Sequence, residues 1–268
     1  MFTGVTPAKG KRPMKIKPLT LIITCSAFLT LYAADAQKSS KKQKSVPPSQ
    51  SASSASSKPV RSSDGNLESV LTQMDNGSAN FRSAEADLLW EQYQKVVDET
   101  DTQKGKIYFR RTNKEMQAAI HITSPDQKDV LYTDSKVRLY QPRIDQVTEH
   151  DASKNKEAAE SFLALGFGGR GHDLLTQYDV QLGGSEAVDG MQTTKLELTP
   201  KSPKVRNMFD KIILWVDPPR DISLRQQFIE PSGDYRTTRY MNIKLNGKIS
   251  DDIFKLHTTS HTKVVRPQ

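Results

Sequence analysis

From residue 84 onward, apolar and polar residues alternate along most of the chain, at the period of two expected of strands with one buried face. In KIYFRR, Ile107, Phe109 and Arg111 share one face while Tyr108 and Arg110 take the other. MQAAIHIT reads as its hairpin partner, with Met116, Ala118, Ile120 and Ile122 in phase. VLYTD and KVRLYQPRIDQVTEHD continue the meander, Leu139 among their apolar positions, with Asp, Ser or Pro at each break. Further strand regions follow in YDVQLGGSEAVDGMQTTKLELTP, KIILWVD, ISLRQQFIE and YRTTRYMNIKLN, separated by DG, DPPRD and PSGD turns. Ile222, Leu224 and Phe228 are in phase in the third of these; Met241, Ile243 and Leu245 are in phase in the fourth. Residues 84–97 also read as a strand, with TDTQKGK as the turn that follows.

The period is that of a helix just before this region and again in its middle. Leu67, Val70, Leu71 and Met74 lie on one helical stripe that Asn76 and Gly77 are expected to stop. KEAAESFLAL (156–165) reads as a helix ended by Gly166, with Phe162, Leu163 and Leu165 on it, and 172–177 as a shorter helical piece. Strands joined by polar turns, without crossover helices, predict an antiparallel sheet curled round a few helices. The fold class is therefore α+β: a curved antiparallel incomplete β-barrel with helices covering its concave apolar face.

Composition changes this picture only upstream of Asp64. The chain has 268 residues, one Cys and a formal charge of +8. Lys9, Lys11, Arg12, Lys15 and Lys17 precede the apolar run Leu19–Leu31, and Ala34 and Ala36 follow at the spacing of a cleavage site. Residues 1–36 are thus expected to be a secretory signal peptide cut after Ala36, the run being short for a bilayer span. Cys25 is a poor lipidation site, because Thr24 precedes it and the apolar run continues beyond it. Residues 37–63 are rich in Ser, Lys and Pro and lack any aromatic or acidic residue, the composition of a disordered basic linker. From Asp64 to residue 268 the chain carries 28 Lys and Arg against 30 Asp and Glu. That near-neutral balance removes the main support for nucleic-acid binding.

Candidate chemistry is sparse. GFGGRG (166–171) has the spacing of a dinucleotide fingerprint, but it follows a helix instead of a strand, so a mobile Gly-rich loop is the expected role. The five histidines have no paired ligand spacing, so neither a metal nor another cofactor is expected. No G-x-S-x-G elbow occurs, and no catalytic residue is assigned. What remains is apolar surface, which is either a filled core or the lining of a ligand cavity. Arg111 is in phase with Ile107 and Phe109, so its guanidinium is expected to aim at the apolar interior. Carbonyls at the helix end near Phe162–Leu165 lack intrahelical partners and are the acceptors expected for it.

The order LESVLTQMDNGSANFRS, GKIYFRR, DSKVRLYQPRIDQVTEHD and KIILWVDPPRDISLRQQFIEPSGDYRTTRYMNIKLNGKISDDIFKL resembles the periplasmic outer-membrane lipoprotein carriers, the LolA-like family, over about residues 67–256. The LWVD strand, the LYQPRIDQVT hairpin and the NGKISDDIF ending carry most of the resemblance. It implies an eleven-stranded incomplete barrel that holds lipoprotein acyl chains, is not an enzyme and works as a monomer in the periplasm. Its partners would be an ATP-driven inner-membrane release complex and an outer-membrane acceptor. Ile107, Phe109, Ile120, Ile122, Leu139, Leu224, Phe228, Met241 and Ile243 would line the cavity, Phe162, Leu163 and Leu165 would belong to the lid, and Arg111 would latch it. Two departures stand out: Thr112 follows Arg111 where the family has Pro, and the long linker and GFGGRG are unusual for the better-known carriers. An envelope lipid-binding sensor of the same fold, or an exported hydrolase, are the alternative readings.

Overall fold

The computed structural model describes residues 62–267. The leader and all but the last two residues of the linker lie outside them. Helix α1 spans Ser62–Asn80, so it starts inside the stretch assigned to the linker and runs straight through Asn76 and Gly77. Gly77 lies where an added Cβ would come within 2.6 Å of the Asp221 Cβ. That glycine serves a close approach between elements, and it does not end the helix.

Twelve strands form one sheet that does not close. They are β1 (Ser83–Gln94), β2 (Glu99–Arg111), β3 (Met116–Ser124), β4 (Lys128–Thr133), β5 (Lys136–Gln141), β6 (Gln146–Asp151), β7 (Tyr178–Val188), β8 (Met191–Pro200), β9 (Lys211–Asp217), β10 (Ile222–Ile229), β11 (Tyr235–Leu245) and β12 (Lys263–Val265). Their order is β12-β6-β5-β4-β3-β2-β1-β11-β10-β9-β8-β7. Two meanders therefore meet where β1 pairs with β11, a long-range contact that closes the middle of the sheet. Between β6 and β7 lie helix α2 (Lys156–Ala164) and helix α3 (Gly171–Gln177); a single turn, α4 (Pro203–Arg206), separates β8 from β9. The segment TDTQKGK belongs to β2, so the turn of the first hairpin falls earlier, at Lys95–Asp98.

Register assigns the faces. Phe109 lies opposite Ala84 and Ala118, and Ile107 opposite Ala86 and Ile120. The same face continues through Val130 and Tyr132 to Leu139 and Val137. In the other meander it carries Leu196 and Leu198, paired with Leu214 and Ile212, all four fully buried. The opposite face holds the ion pairs of Lys106 with Glu85 and Asp87. It is not wholly polar: Ala119 and Leu131 pack there under Phe254, from the short turn Asp251–Phe254, with the Arg110 guanidinium 4.3 Å from the Phe254 ring centre. Strand β4 has apolar neighbours on both sides, so its Val130, Leu131 and Tyr132 are all buried and its alternation disappears.

The sheet is antiparallel except at one edge, where β12 pairs parallel to β6. Charge fastens this short strand. Glu149 of β6 accepts from Arg138 Nε at 2.9 Å, from Arg266 Nε at 2.9 Å and from Lys136 Nζ at 3.3 Å. The Arg138 bond, then the Arg266 bond, hold the Glu149 carboxyl at about 2. Because that value is depressed, the stabilisation is present above the ordinary carboxylate range and is lost as pH falls toward 2. Hydrogen exchange at Val264 and Val265, corrected for intrinsic rates, is expected to show β12 loosening between pH 5 and pH 2. In Glu149→Gln the strand should be looser at both values; unchanged protection would show that the Glu149 bonds do not hold it.

Candidate functional site

Two aromatic groups sit where the segments between β6 and β7 meet the apolar face. Phe167, three residues beyond the end of α2, stacks on Phe109 with ring centres 4.6 Å apart and meets Tyr240 edge-on at 5.0 Å. Tyr240 donates its hydroxyl to Gln226 Oε1 at 3.1 Å, and burial pushes its phenol upward. The second group joins Phe162 of α2 to Phe228 of β10 at 5.3 Å, and both to Phe209, at 6.2 and 5.3 Å respectively. Such pairs contribute about 0.5–1.5 kcal/mol each beyond the area they bury.

The residues singled out from the sequence divide on inspection. Ile107, Phe109 and Ile122 are buried on the Phe109 face; Ile120 and Leu139 lie on it half-buried. Phe228 meets the α2 residue Phe162, and Leu163 and Leu165 are buried, although Leu165 stands just past the helix end. Met241 does not join them. Its register partner is Asp87, which points to the face of Lys106. The cause is a bulge at Asn242, whose φ is 52°: one extra residue reverses the phase, so Met241 and Ile243 lie on opposite faces. A second irregularity between Ser223 and Arg225 makes Leu224 the extra residue of β10, buried yet out of the regular phase with Phe228.

GFGGRG is packed, against the expectation of a mobile loop. Phe167 is 1% exposed. Gly168 has φ +74°, and a Cβ there would stand 2.3 Å from the Phe81 ring; a Cβ on Gly171 would stand 2.5 Å from the Leu71 carbonyl of α1. These glycines let the backbone lie directly against neighbouring elements.

Arg111 crosses the junction of these parts. Its Nη1 donates to Ser78 O at 2.8 Å, its Nη2 to Gly168 O, and its guanidinium lies 5.5 Å from the Phe81 ring centre. Ser78 Oγ donates to the same Gly168 carbonyl at 2.8 Å. Ser78 is in the last turn of α1, and its carbonyl also accepts the Phe81 N–H at 3.2 Å. The acceptors are thus at the end of α1 and in the glycine loop, not at Phe162–Leu165. Arg111 as a residue is exposed, so the guanidinium works at the rim of the apolar face and not within it.

Sequence reasoning missed the polar cluster beneath this clamp. His172 Nδ1 and its backbone N–H bond to Asp75 at 2.7 and 3.2 Å, and Nε2 lies 3.0 Å from Glu68, tying α3 to α1. The bonds to Asp75 and Glu68 raise the imidazole above its usual value. Asp221 follows the turn Pro218–Arg220 with φ 51°, is 3% exposed, and accepts the Gly168 N–H at its backbone carbonyl at 3.3 Å. Its Oδ2 has no hydrogen-bond partner among the described residues. Burial pushes the carboxyl up to about 8, against the pull of Arg111. Only the DPPRD turn was visible beforehand, and a turn Asp is ordinarily solvated.

Among the described residues no three His, Cys, Asp or Glu side chains are placed to hold a metal, and no helix is long and apolar enough to cross a membrane. A cavity of about 70 Å³ lies between α2 and α3, lined in part by Leu165, Gly169, Leu174 and Tyr178. Small-molecule sites typically enclose roughly 300–1,000 Å³, so this cavity does not hold a lipid as it stands.

Residues 82–257 match the family model described as outer membrane lipoprotein carrier protein LolA. No curated protein matches the sequence. Among solved structures, an uncharacterized conserved protein from Thermus thermophilus is 12% identical, with a TM-score of 0.48 over 75% of this chain and 99% of that one. The Mycobacterium tuberculosis lipoprotein LppX is 14% identical, with a TM-score of 0.44 over 70% and 99%. MucB in the Pseudomonas aeruginosa MucA/MucB complex is 12% identical, with a TM-score of 0.45 over 71% of this chain and 61% of that one.

Proposed function

The chain belongs to the outer membrane lipoprotein carrier protein LolA family, and from that premise we propose that it is a periplasmic carrier of lipoprotein acyl chains. Family members bind and carry; they do not catalyse. In this reading the sheet is a curved half-barrel, and α1, α2, α3 and the glycine loop cover its concave face. Cargo enters by displacing Phe167 and Phe162 from Phe109, Tyr240 and Phe228. The chain takes its load from an ATP-driven release complex at the inner membrane and yields it to an acceptor at the outer membrane.

The observation that carries the proposal is the Arg111 clamp. One side chain of the sheet joins the end of α1 to the loop that seats Phe167. A vessel for acyl chains needs such a reversible closure. Each exposed methylene costs about 0.8 kcal/mol, so a chain of roughly sixteen carbons resists crossing water by on the order of 10 kcal/mol. An empty vessel has the same difficulty with its own lining, and Phe167 relieves it by filling the aromatic cradle.

Expression of the full chain in a Gram-negative envelope, gentle purification and native mass spectrometry test this reading. Acylated lipoprotein or free lipid is expected on the folded protein, and the same spectra should give a mature chain beginning at Gln37. Cargo-free protein in every preparation, together with no uptake of acyl chains from added vesicles, would overturn the carrier assignment.

A further inference from the structure

We propose that Asp221 is the second partner of Arg111: when the glycine loop leaves the sheet, Asp221 gives up its proton to solvent and takes the guanidinium, which links closure of the acyl site to pH. The inference rests on the carrier reading and names a control on the same site.

In the closed form the groups around Asp221 offer nothing to its buried Oδ2. From α1, Gly77 offers no side chain at the position nearest its Cβ. Asp75, also on α1, faces it with like charge, and is itself engaged by His172 at 2.7 Å and Arg170 at 3.6 Å. From β2, Arg111 is near enough for its charge to favour the carboxylate, yet its N–H groups point to Ser78 O and Gly168 O. From the loop, Gly168 uses only the Asp221 backbone carbonyl. A carboxylate with a buried, unpartnered oxygen is disfavoured, so the closed form holds the neutral acid, consistent with a carboxyl pushed up to about 8.

Opening reverses each of these conditions. Departure of the loop removes Gly168 O from Nη2 and admits water beside Asp221. An arginine fork with a free N–H pair and a carboxylate form one of the strong hydrogen-bonded ion pairs. One proton leaves for each opening, and Arg111 is kept from returning to the carbonyls. Between the ordinary carboxylate range and about 8 the closed form binds a proton that the open form does not. Opening should thus rise about tenfold per pH unit across that window and level off above it. His172 adds in the same direction: its raised value means that its clamp of α3 to α1 is full in acid and fades as pH rises through it.

Hydrogen exchange at the Gly168 amide, corrected for intrinsic rates, measures opening in the ligand-free mature chain. From pH 6 to pH 8, opening should increase roughly fiftyfold in the wild type. Asp221→Asn, whose side chain imitates the neutral acid and tolerates the positive φ, should lose at least tenfold of that increase. His172→Gln should keep most of it. Carbon NMR titration of the Asp221 carboxyl in the wild type gives a reading that depends on no variant, and an ordinary carboxylate value there would overturn the proposal. So would an undiminished pH response in Asp221→Asn. A fluorescent sixteen-carbon fatty acid, titrated in parallel, separates the two levels. Opening that follows pH without any uptake overturns the carrier reading alone; uptake with opening indifferent to pH overturns the role of Asp221 alone.

Discussion

Replacing Arg111 with Leu is expected to leave the protein folded, to strengthen its hold on acyl cargo about ten- to a hundredfold, and to slow delivery by a similar factor. The guanidinium donates to two carbonyls at the rim, Ser78 O and Gly168 O. Hydrogen bonds from charged groups contribute about 1.5–3 kcal/mol when shielded, and the exposed position of Arg111 reduces the pair together to about that range. Both bonds favour the closed, empty form, and the pairing with Asp221 proposed for the open form offsets only part of them. A site that is competent only when open shows an affinity reduced by its open fraction, so removing the clamp raises apparent affinity. Delivery slows because closure behind the departing chain no longer favours release. Arg111→Lys should behave almost like the Leu variant, since a single ammonium cannot present the fork that spans both carbonyls. Timed transfer of a labelled acyl probe to acceptor vesicles, with retention measured on the same samples, reads both effects. Equal retention and equal transfer in a folded Arg111→Leu variant would falsify the latch.

Most of the first meander was legible because it obeys one rule. Ile107 and Phe109 of β2 alternate with Lys106, Tyr108 and Arg110, their partners Ile120 and Ala118 in β3 keep the same phase, and period-two alternation fixes which face is buried. The rule failed where the chain inserts a residue. Nothing in MNIKL or ISLRQ announces that Asn242 takes a positive φ or that Leu224 is supernumerary, yet each shift reassigns the residues beyond it, and Met241 changed faces for that reason. Glu99–Thr102 escaped notice for another reason: the residues are polar and exposed, so they belong to β2 through pairing with β1 and not through any pattern of their own. The candidate site was legible in its sheet half only. Arg111 and Phe109 could be placed by phase, whereas Ser78, Gly168 and Asp221 meet them across separations of more than thirty positions, which no local pattern encodes. Glycine was the most ambiguous letter. In GFGGRG it reads equally as freedom or as closeness, and the packing of Phe167 decided for closeness.

Phe167→Ala is expected to separate stability from binding more sharply than any other single change. Phe167 is 1% exposed, stacked on Phe109 and edge-on to Tyr240. Truncating a buried Phe in a filled core costs about 3–5 kcal/mol, through lost transfer energy and the cavity left behind. In the empty carrier that cost should appear nearly in full, because nothing else occupies the cradle. The void, however, is apolar and adjoins the face on which cargo is proposed to lie, so an acyl chain can refill what the ring vacates. Ligand that binds only the native state then restores stability in proportion to its concentration over its dissociation constant. Urea melts with and without a sixteen-carbon fatty acid should show the variant well below wild type when empty and regaining most of the difference when loaded, with an affinity at least equal to that of wild type. Leu131→Ala, fully buried on the opposite face of the sheet under Phe254, supplies the comparison: it should lose similar stability and regain little with ligand. If Phe167→Ala behaves as Leu131→Ala does, destabilised to the same degree with and without fatty acid, then Phe167 is ordinary core and the cradle formed by Phe109 and Tyr240 does not receive cargo.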